Sequence, residues 1–439
     1  TEMPARVIFV ASSITPDVLP LIKQVVGIVT EQGGMTSHGA ILARELGIPA
    51  VTGVRNATQY IRSGERLWLD GNQGEVQRVG LHRSGTEVQP QLTDDQRIDD
   101  QLTDAQRTDA QRTDAHDSQP AAFPPAAAPS PLISPPIATQ LFVTLSQPDA
   151  IARVAHLPVD GVGLVRSELM LLEVLEQRHP QMWIEQGQQA ELVDRITRQM
   201  QRFAEAFFPR PVYYRSADWR SHEFSYLQGM ITVAEPNPML GLRGTLSYQY
   251  HPAWFEVELA ALRQIQQNGY SNLHLILPFV RTVEEFCFCR QQVERMGLFQ
   301  QPQFQLWIMA EVPSVLLLLP DYVAAGAQGI AIGSNDLTQL LLGIDRDQPA
   351  LANVFNANHP AVMRAIHQLI QMAHTAQIPC SICGLATKPS LDLINRLVQW
   401  GITAISVEPG EVEQTYGAIV RAERQLLIAA ARQWAGSDE

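Results

Sequence analysis

The segment Gly33-Gly34-Met35-Thr36-Ser37-His38-Gly39-Ala40 runs directly into an apolar-periodic stretch, which predicts that His38 lies near the amino terminus of a helix. Backbone N–H groups without helical partners and the helix dipole stabilise negative charge at such a place. An imidazole there, largely neutral near pH 7, could act as a nucleophile and carry an anionic group. The same spacing also suits a plain capping turn that happens to contain a histidine. A second set of residues further along the chain offers different chemistry. Arg166, Arg215 and Arg243 present planar forks suited to phosphate or carboxylate. Glu311 and Asp336 offer hard oxygen donors, enough to hold a divalent cation such as Mg2+ when substrate and waters fill the remaining positions. Each acid could instead cap a helix or pair with an arginine. Cys383 could give or take one proton at a carbon beside a carbonyl. With Cys380 it forms a CxxC, but there is no second pair for zinc and no thioredoxin-like surrounding. Cys287 and Cys289, on an apparent helix, read as packing residues.

For these residues to act together, the chain must bring them to one place. Eight short apolar runs alternate with longer, partly amphipathic segments: Leu141 to Leu145, Val162 to Val165, Val212 to Tyr214, Leu273 to Leu277, Leu306 to Met309, Gly329 to Ile332, Ile378 to Ile382 and Ala404 to Val407. Eight βα units in one stretch predict a (β/α)8 barrel, whose active site sits at the carboxy-terminal ends of the strands. Arg166 follows the second run, Arg215 the third, Glu311 the fifth, Gly333-Ser334-Asn335-Asp336 the sixth and Cys383 the seventh, so all are expected at one mouth. The seventh run is the least strand-like, because Pro379 cannot donate to a ladder and belongs at a strand's start.

Upstream, short β-rich runs (Val7 to Val10, Val25 to Val29, Arg66 to Leu69) surround one helical segment, His38 to Leu46, ended by Gly47 and Pro49. This predicts a small α/β domain over residues 1–88. Between residues 89 and 137 the composition turns to near-repeats of Thr-Asp-Ala-Gln-Arg and then to an Ala/Pro tract, which predicts an acidic, Pro/Ala-rich disordered linker. The barrel is expected over residues 138–439. A formal charge of -13 argues against a nucleic-acid surface. No apolar run is long enough to span a bilayer, and four cysteines are too few for a disulfide scaffold, so a cytoplasmic setting is expected.

Gly33 to Gly53, GGMTSHGAILARELGIPAVTG, closely resembles the phosphohistidine signature of the PEP-utilising enzymes. GVGLVRSE, NPMLGLRG, LPFVRTVEEF, AEVPS, IGSNDLTQLLLGIDRD and ICG resemble that family too, in the family's order. The resemblance implies a swivelling phosphohistidine domain followed by a barrel that binds phosphoenolpyruvate (PEP) and pyruvate. It implies that His38 carries the phosphoryl group and that Cys383 is the proton donor. Substrate would be bound by Arg166, Arg215, Arg243, Glu311, Gly333, Ser334, Asn335 and Asp336, with Glu311 and Asp336 also holding Mg2+. The stretch from Arg215 to Glu223, with NPMLGLRG, is most similar to the PEP synthase branch, while Thr36-Ser37-His38 is closer to the pyruvate phosphate dikinase and sugar phosphotransferase branches. Gly39 replaces a more usual Ala. PEP synthases place an ATP-grasp domain before the phosphohistidine domain, and no Gly-rich nucleotide loop precedes His38 here, so the expectation is a fragment, a split enzyme whose partner is a separate nucleotide-binding chain, or a descendant that has lost ATP use. A homodimer through the barrel is another expected partnership. Two rival readings are a phosphocarrier that serves a partner protein and a non-catalytic PEP-binding relic.

Overall fold

A computed structural model describes residues 6–14, 18–32, 40, 43–44, 46–71, 73–79, 135–221, 227–229, 235–345, 348, 351, 354–385 and 389–435. His38, and residues 89–134 of the expected linker, lie outside the described residues. The amino-terminal strands β1 (Ile8–Ala11), β2 (Gly27–Thr30) and β3 (Ala50–Val51) form a parallel sheet in the order β1-β2-β3. The central strand, Gly-Ile-Val-Thr, is buried at all four positions, as expected where neighbours and packing cover both faces. Strands β4 (Leu67–Asp70) and β5 (Glu75–Arg78) form an antiparallel hairpin whose turn places Gly74 at φ 72°, where a side chain would be strained.

The remaining strands close a parallel barrel in chain order: β6 (Gln140–Leu145), β7 (Gly161–Arg166), β8 (Val212–Arg215), β9 (Leu273–Leu277), β10 (Leu306–Ala310), β11 (Ile330–Gly333), β12 (Cys380–Cys383) and β13 (Ala404–Val407), which pairs back onto β6. Each of the eight apolar runs is a strand, and helices follow on the outside, as the sequence predicts. Pro379 stands just before β12 and serves there only as an acceptor, its carbonyl taking the Ile330 N–H at 3.0 Å. One face of every strand packs outward in the main core, and the other fills the lumen with Phe142, Tyr213, Ile276, Trp307 and Met309 among others. The β3 and β5 strands are absent from the sequence expectation. The first is two residues long and the second largely exposed, so neither carries an apolar run.

Strand β7 contains a device that matters for the site. Val162 and Val165 pack in the outer core while Leu164 faces the lumen, so three steps separate two outward side chains where strict alternation gives two. The register against β6 slips at this point, with Val143 opposite Val162 but Thr144 opposite Leu164. The extra residue is Gly163, a bulge that turns the rest of the strand so that Arg166 reaches the mouth. A Cβ at Gly163 would lie 2.7 Å from Phe142 Cβ and 2.9 Å from Ser406 Oγ. Gly163→Val is therefore expected to lower stability by about 1–3 kcal/mol. Urea unfolding read by far-UV circular dichroism checks this, and an unchanged midpoint would show that the lumen has room to spare.

Candidate active site at the barrel mouth

The strand ends bring Arg166, Arg215, Glu311, Gly333, Ser334, Asp336 and Cys383 together as the sequence pattern requires. Arg166, Arg215, Gly333 and Cys383 are the last residues of their strands rather than the first residues beyond them. Asp336 lies in the first turn of the helix Ser334–Leu342, where an acid is favoured by the helix dipole. Glu311 is buried, and its Oε1 accepts the Phe279 N–H at 2.8 Å. A Cβ on Gly333 would sit 2.6 Å from Glu311 Oε2, so glycine is what lets strand β11 pass this close to the carboxylate.

Arg243 is buried and stands between two carboxylates. Its Nε reaches Asp218 Oδ1 at 3.1 Å, its Nη2 reaches Asp218 Oδ2, and the same Nη2 reaches Asp336 Oδ2 at 2.9 Å. The guanidinium lies 3.9 Å over the Phe279 ring. This arginine is thus engaged with protein acids, and it meets the expected substrate site through Asp336 rather than by an unoccupied fork. Burial alone would raise the Asp218 carboxyl, but Arg243 outweighs it and holds Asp218 below the ordinary carboxylate range.

Arg215 Nη2 donates to Glu168 Oε1 at 2.8 Å, and the same oxygen takes the Asp218 N–H at 2.9 Å. Arg215 Nε and Arg166 Nη1 are both buried and have no hydrogen-bond partner among the described residues. Such donors are costly to leave unmet, and two of them at one mouth mark a place for an anion's oxygens. Arg166 lines a small pocket with Thr144, Gly384, Ser406, Glu408 and Glu411.

Ser334 donates its hydroxyl toward the Cys383 and Gly384 carbonyls, at 3.0 and 2.8 Å, which leaves its oxygen only an accepting role. A Cβ on Gly384 would lie 3.0 Å from Asn335 Nδ2, so the amide of Asn335 rests against this turn, whose φ of +69° suits glycine. Cys383 Sγ lies 3.5 Å from the Ile332 carbonyl, and burial pushes its thiol up to about 11, so it is protonated at neutral pH.

Burial, then the neighbouring Asp336, push the Glu311 carboxyl up to about 7, against the pull of Arg215. Two crowded carboxylates that resist ionising together could hold a proton or a cation. Among the described residues no group of three or more His, Cys, Asp or Glu has metal-binding spacing, so a cation at Glu311 and Asp336 would need further oxygens from substrate and water.

Sequence reasoning passed over Glu168, Asp218 and Glu408. The first two stand inside recognised motifs, yet their work is to fix arginines, a role that only the three-dimensional pairing reveals.

The PEP-binding domain model of the PEP-utilising enzymes matches residues 130–424, and their mobile domain model matches residues 3–74. The chain belongs to the PEP-utilising enzymes. It is 36% identical over 432 residues to a probable phosphoenolpyruvate synthase of Staphylothermus marinus, covering 96% of this chain and 48% of that protein. It is 35% identical over 430 residues to the phosphoenolpyruvate synthase of Aeropyrum pernix, covering 96% and 49%, and 32% identical over 421 residues to that of Pyrococcus furiosus, covering 95% and 47%. The chain thus spans about half the length of the curated relatives it matches. A malate synthase of Haloferax volcanii is a remote structural neighbour, with a TM-score of 0.41 at 12% identity over 64% of this chain and 69% of that one. No described helix is long and apolar enough to cross a membrane.

The buried Arg243 bears most directly on stability. Arg243→Met would remove the guanidinium that bridges the buried Asp218 and Asp336, at a cost of about 3–5 kcal/mol. Thermal unfolding beside an Asp218→Asn, Arg243→Met double variant checks the assignment, since the double variant should recover part of the loss.

Proposed function

We propose that this chain exchanges a phosphoryl group between His38 and pyruvate, in the manner of the phosphoenolpyruvate synthases that it resembles. The observation that carries this reading is the pair of unmet, buried guanidinium donors of Arg166 and Arg215, facing a mouth that also holds a protonated thiol and two crowded carboxylates. Arg166 and Arg215 would bind the phosphate and carboxylate oxygens of PEP. Glu311 and Asp336 would hold Mg2+, whose charge offsets that of the enolate oxygen.

In the direction from PEP, the P–O bond to the enol oxygen breaks as an N–P bond forms to the His38 imidazole. Cys383 then gives its proton to the methylene carbon, yielding pyruvate and a thiolate that regains a proton from water. Arg243 would act on substrate only indirectly, by fixing Asp336, and Asn335 and Ser334 would shape the wall beside Cys383. In the reverse direction the Cys383 thiolate removes the methyl proton. The phosphoryl supply from ATP, on a nucleotide-binding domain or separate chain, and a homodimer formed through the barrel belong to the same reading.

Incubation with labelled PEP and Mg2+ is expected to give acid-labile phosphate on His38 with release of pyruvate, and none in His38→Ala. Folded, metal-loaded protein that takes no label would overturn the proposal in favour of a binding relic. Cys383→Ala is expected to lower exchange of solvent hydrogen into the pyruvate methyl by about 10²–10⁴-fold while PEP still binds.

The Glu311–Asp336 pair sets a pH dependence. Its raised carboxyl keeps a proton as pH falls through about 7, and Mg2+ must displace that proton. Affinity for Mg2+ is therefore expected to be full above that pH and to fall about tenfold per unit below it. Calorimetry in buffers of different ionisation enthalpy reads the released proton directly, and an affinity that ignores pH would remove Glu311 from the ligand set.

A further inference from the structure

Ion pairs join the amino-terminal sheet domain to the barrel. Among the described contacts, Lys23 and Arg44 pair with acids of the barrel. Lys23 Nζ lies 3.0 Å from Asp149 and 3.1 Å from Glu173. Arg44 holds Glu408 through two nitrogens, at 2.6 and 3.3 Å. Of the two contacts the second is better shielded, with side-chain exposures of 28% and 17%. Behind them, Ile22, Val25 and Ala43 join the same apolar cluster as the barrel's outer core.

The position of Glu408 makes this more than adhesion. It follows strand β13 and lines the pocket that holds Arg166. An unneutralised carboxylate there opposes any anion that Arg166 would bind. When Arg44 engages it, the share of that opposition due to Glu408 is reduced, while Glu411 stays on the same wall.

Resting on the reading of the barrel as an anion-binding phosphotransfer site, we propose that Arg44 is a positioning residue that couples docking of the amino-terminal domain to anion binding in the barrel. Its pairing with Glu408 sets the register of Arg44 and its described neighbours against the end of β13. The same pairing also lifts a negative charge from the pocket wall. By reciprocity, an anion held at Arg166 strengthens docking by the same factor.

The test uses the full chain, with PEP and Mg2+ as the probe. Arg44→Gln is expected to weaken PEP binding about fivefold and to slow labelling of His38 by more than that. The double variant Arg44→Gln, Glu408→Gln is expected to recover the affinity, because the opposing charge is gone, and yet to remain slow in labelling, because the register is still lost. Arg44→Lys should keep most of the affinity and only part of the rate, since a lysine supplies charge without the two-pronged geometry. Unchanged affinity and rate in Arg44→Gln, or a double variant that recovers both or neither, would overturn the proposal. Amide hydrogen exchange over residues 408–415 provides a readout without activity. It should rise in Arg44→Gln and with added salt, as an ion-paired contact requires. If the parent chain takes no PEP but shows this change in exchange, the anion-site reading has failed and the docking contact stands. If PEP labels the parent chain and the exchange does not move, the contact has failed.

Discussion

The mouth of the barrel depends on one buried cation. Arg243 is almost wholly shut off from bulk solvent, so the cost of stripping its guanidinium of water is offset chiefly by Asp218, Asp336 and the face of Phe279. Those partners come from the end of β8, the start of the helix after β11 and the end of β9, so a single side chain fixes three separate loops. Phe279 in turn donates its backbone N–H to Glu311, at a φ of +46° that an unsupported phenylalanine would avoid. The direction in which Glu311 presents its oxygens is thus set from Arg243, two contacts away.

This arrangement also divides labour among the arginines. Among the described residues, Arg243 is buried and held by two acids, Arg215 is half committed to Glu168, and Arg166 is the least engaged of the three. A gradient from structural to available charge suits a site that must stay ordered when empty and still offer donors to an incoming anion. Neutralising all three would leave nothing for substrate, and leaving all three unpaired would leave repelling charges and unmet donors together.

The barrel was legible because a parallel strand is covered on both faces and must be apolar along its length, a signal that survives without knowledge of its neighbours. The strand-end residues were legible for a related reason, since a polar residue that ends such a run has only the mouth to face. The β7 bulge was not, because Gly161 and Gly163 look alike in sequence and only the register slip shows which one carries the extra residue. Asp218 and Glu168 were also hidden, since their significance lies in a partner 25 or 47 positions away. Glu408 ends no motif, and its importance comes from the surface that Arg44 brings to it.

The last strand of the barrel bonds to the first. Strand β13 completes the ring against β6, and the hydroxyls of Thr144 and Ser406, 262 positions apart, meet inside at 2.9 Å. Until that final strand leaves the ribosome, β6 has an open edge, and the sheet cannot close however well its earlier units have formed. While the strands between β6 and β13 are being made, the nascent chain therefore exposes an apolar, strand-shaped edge of the kind that invites pairing with another chain. Its yield in a cell should depend on what shelters that edge during those seconds as much as on the stability of the finished barrel.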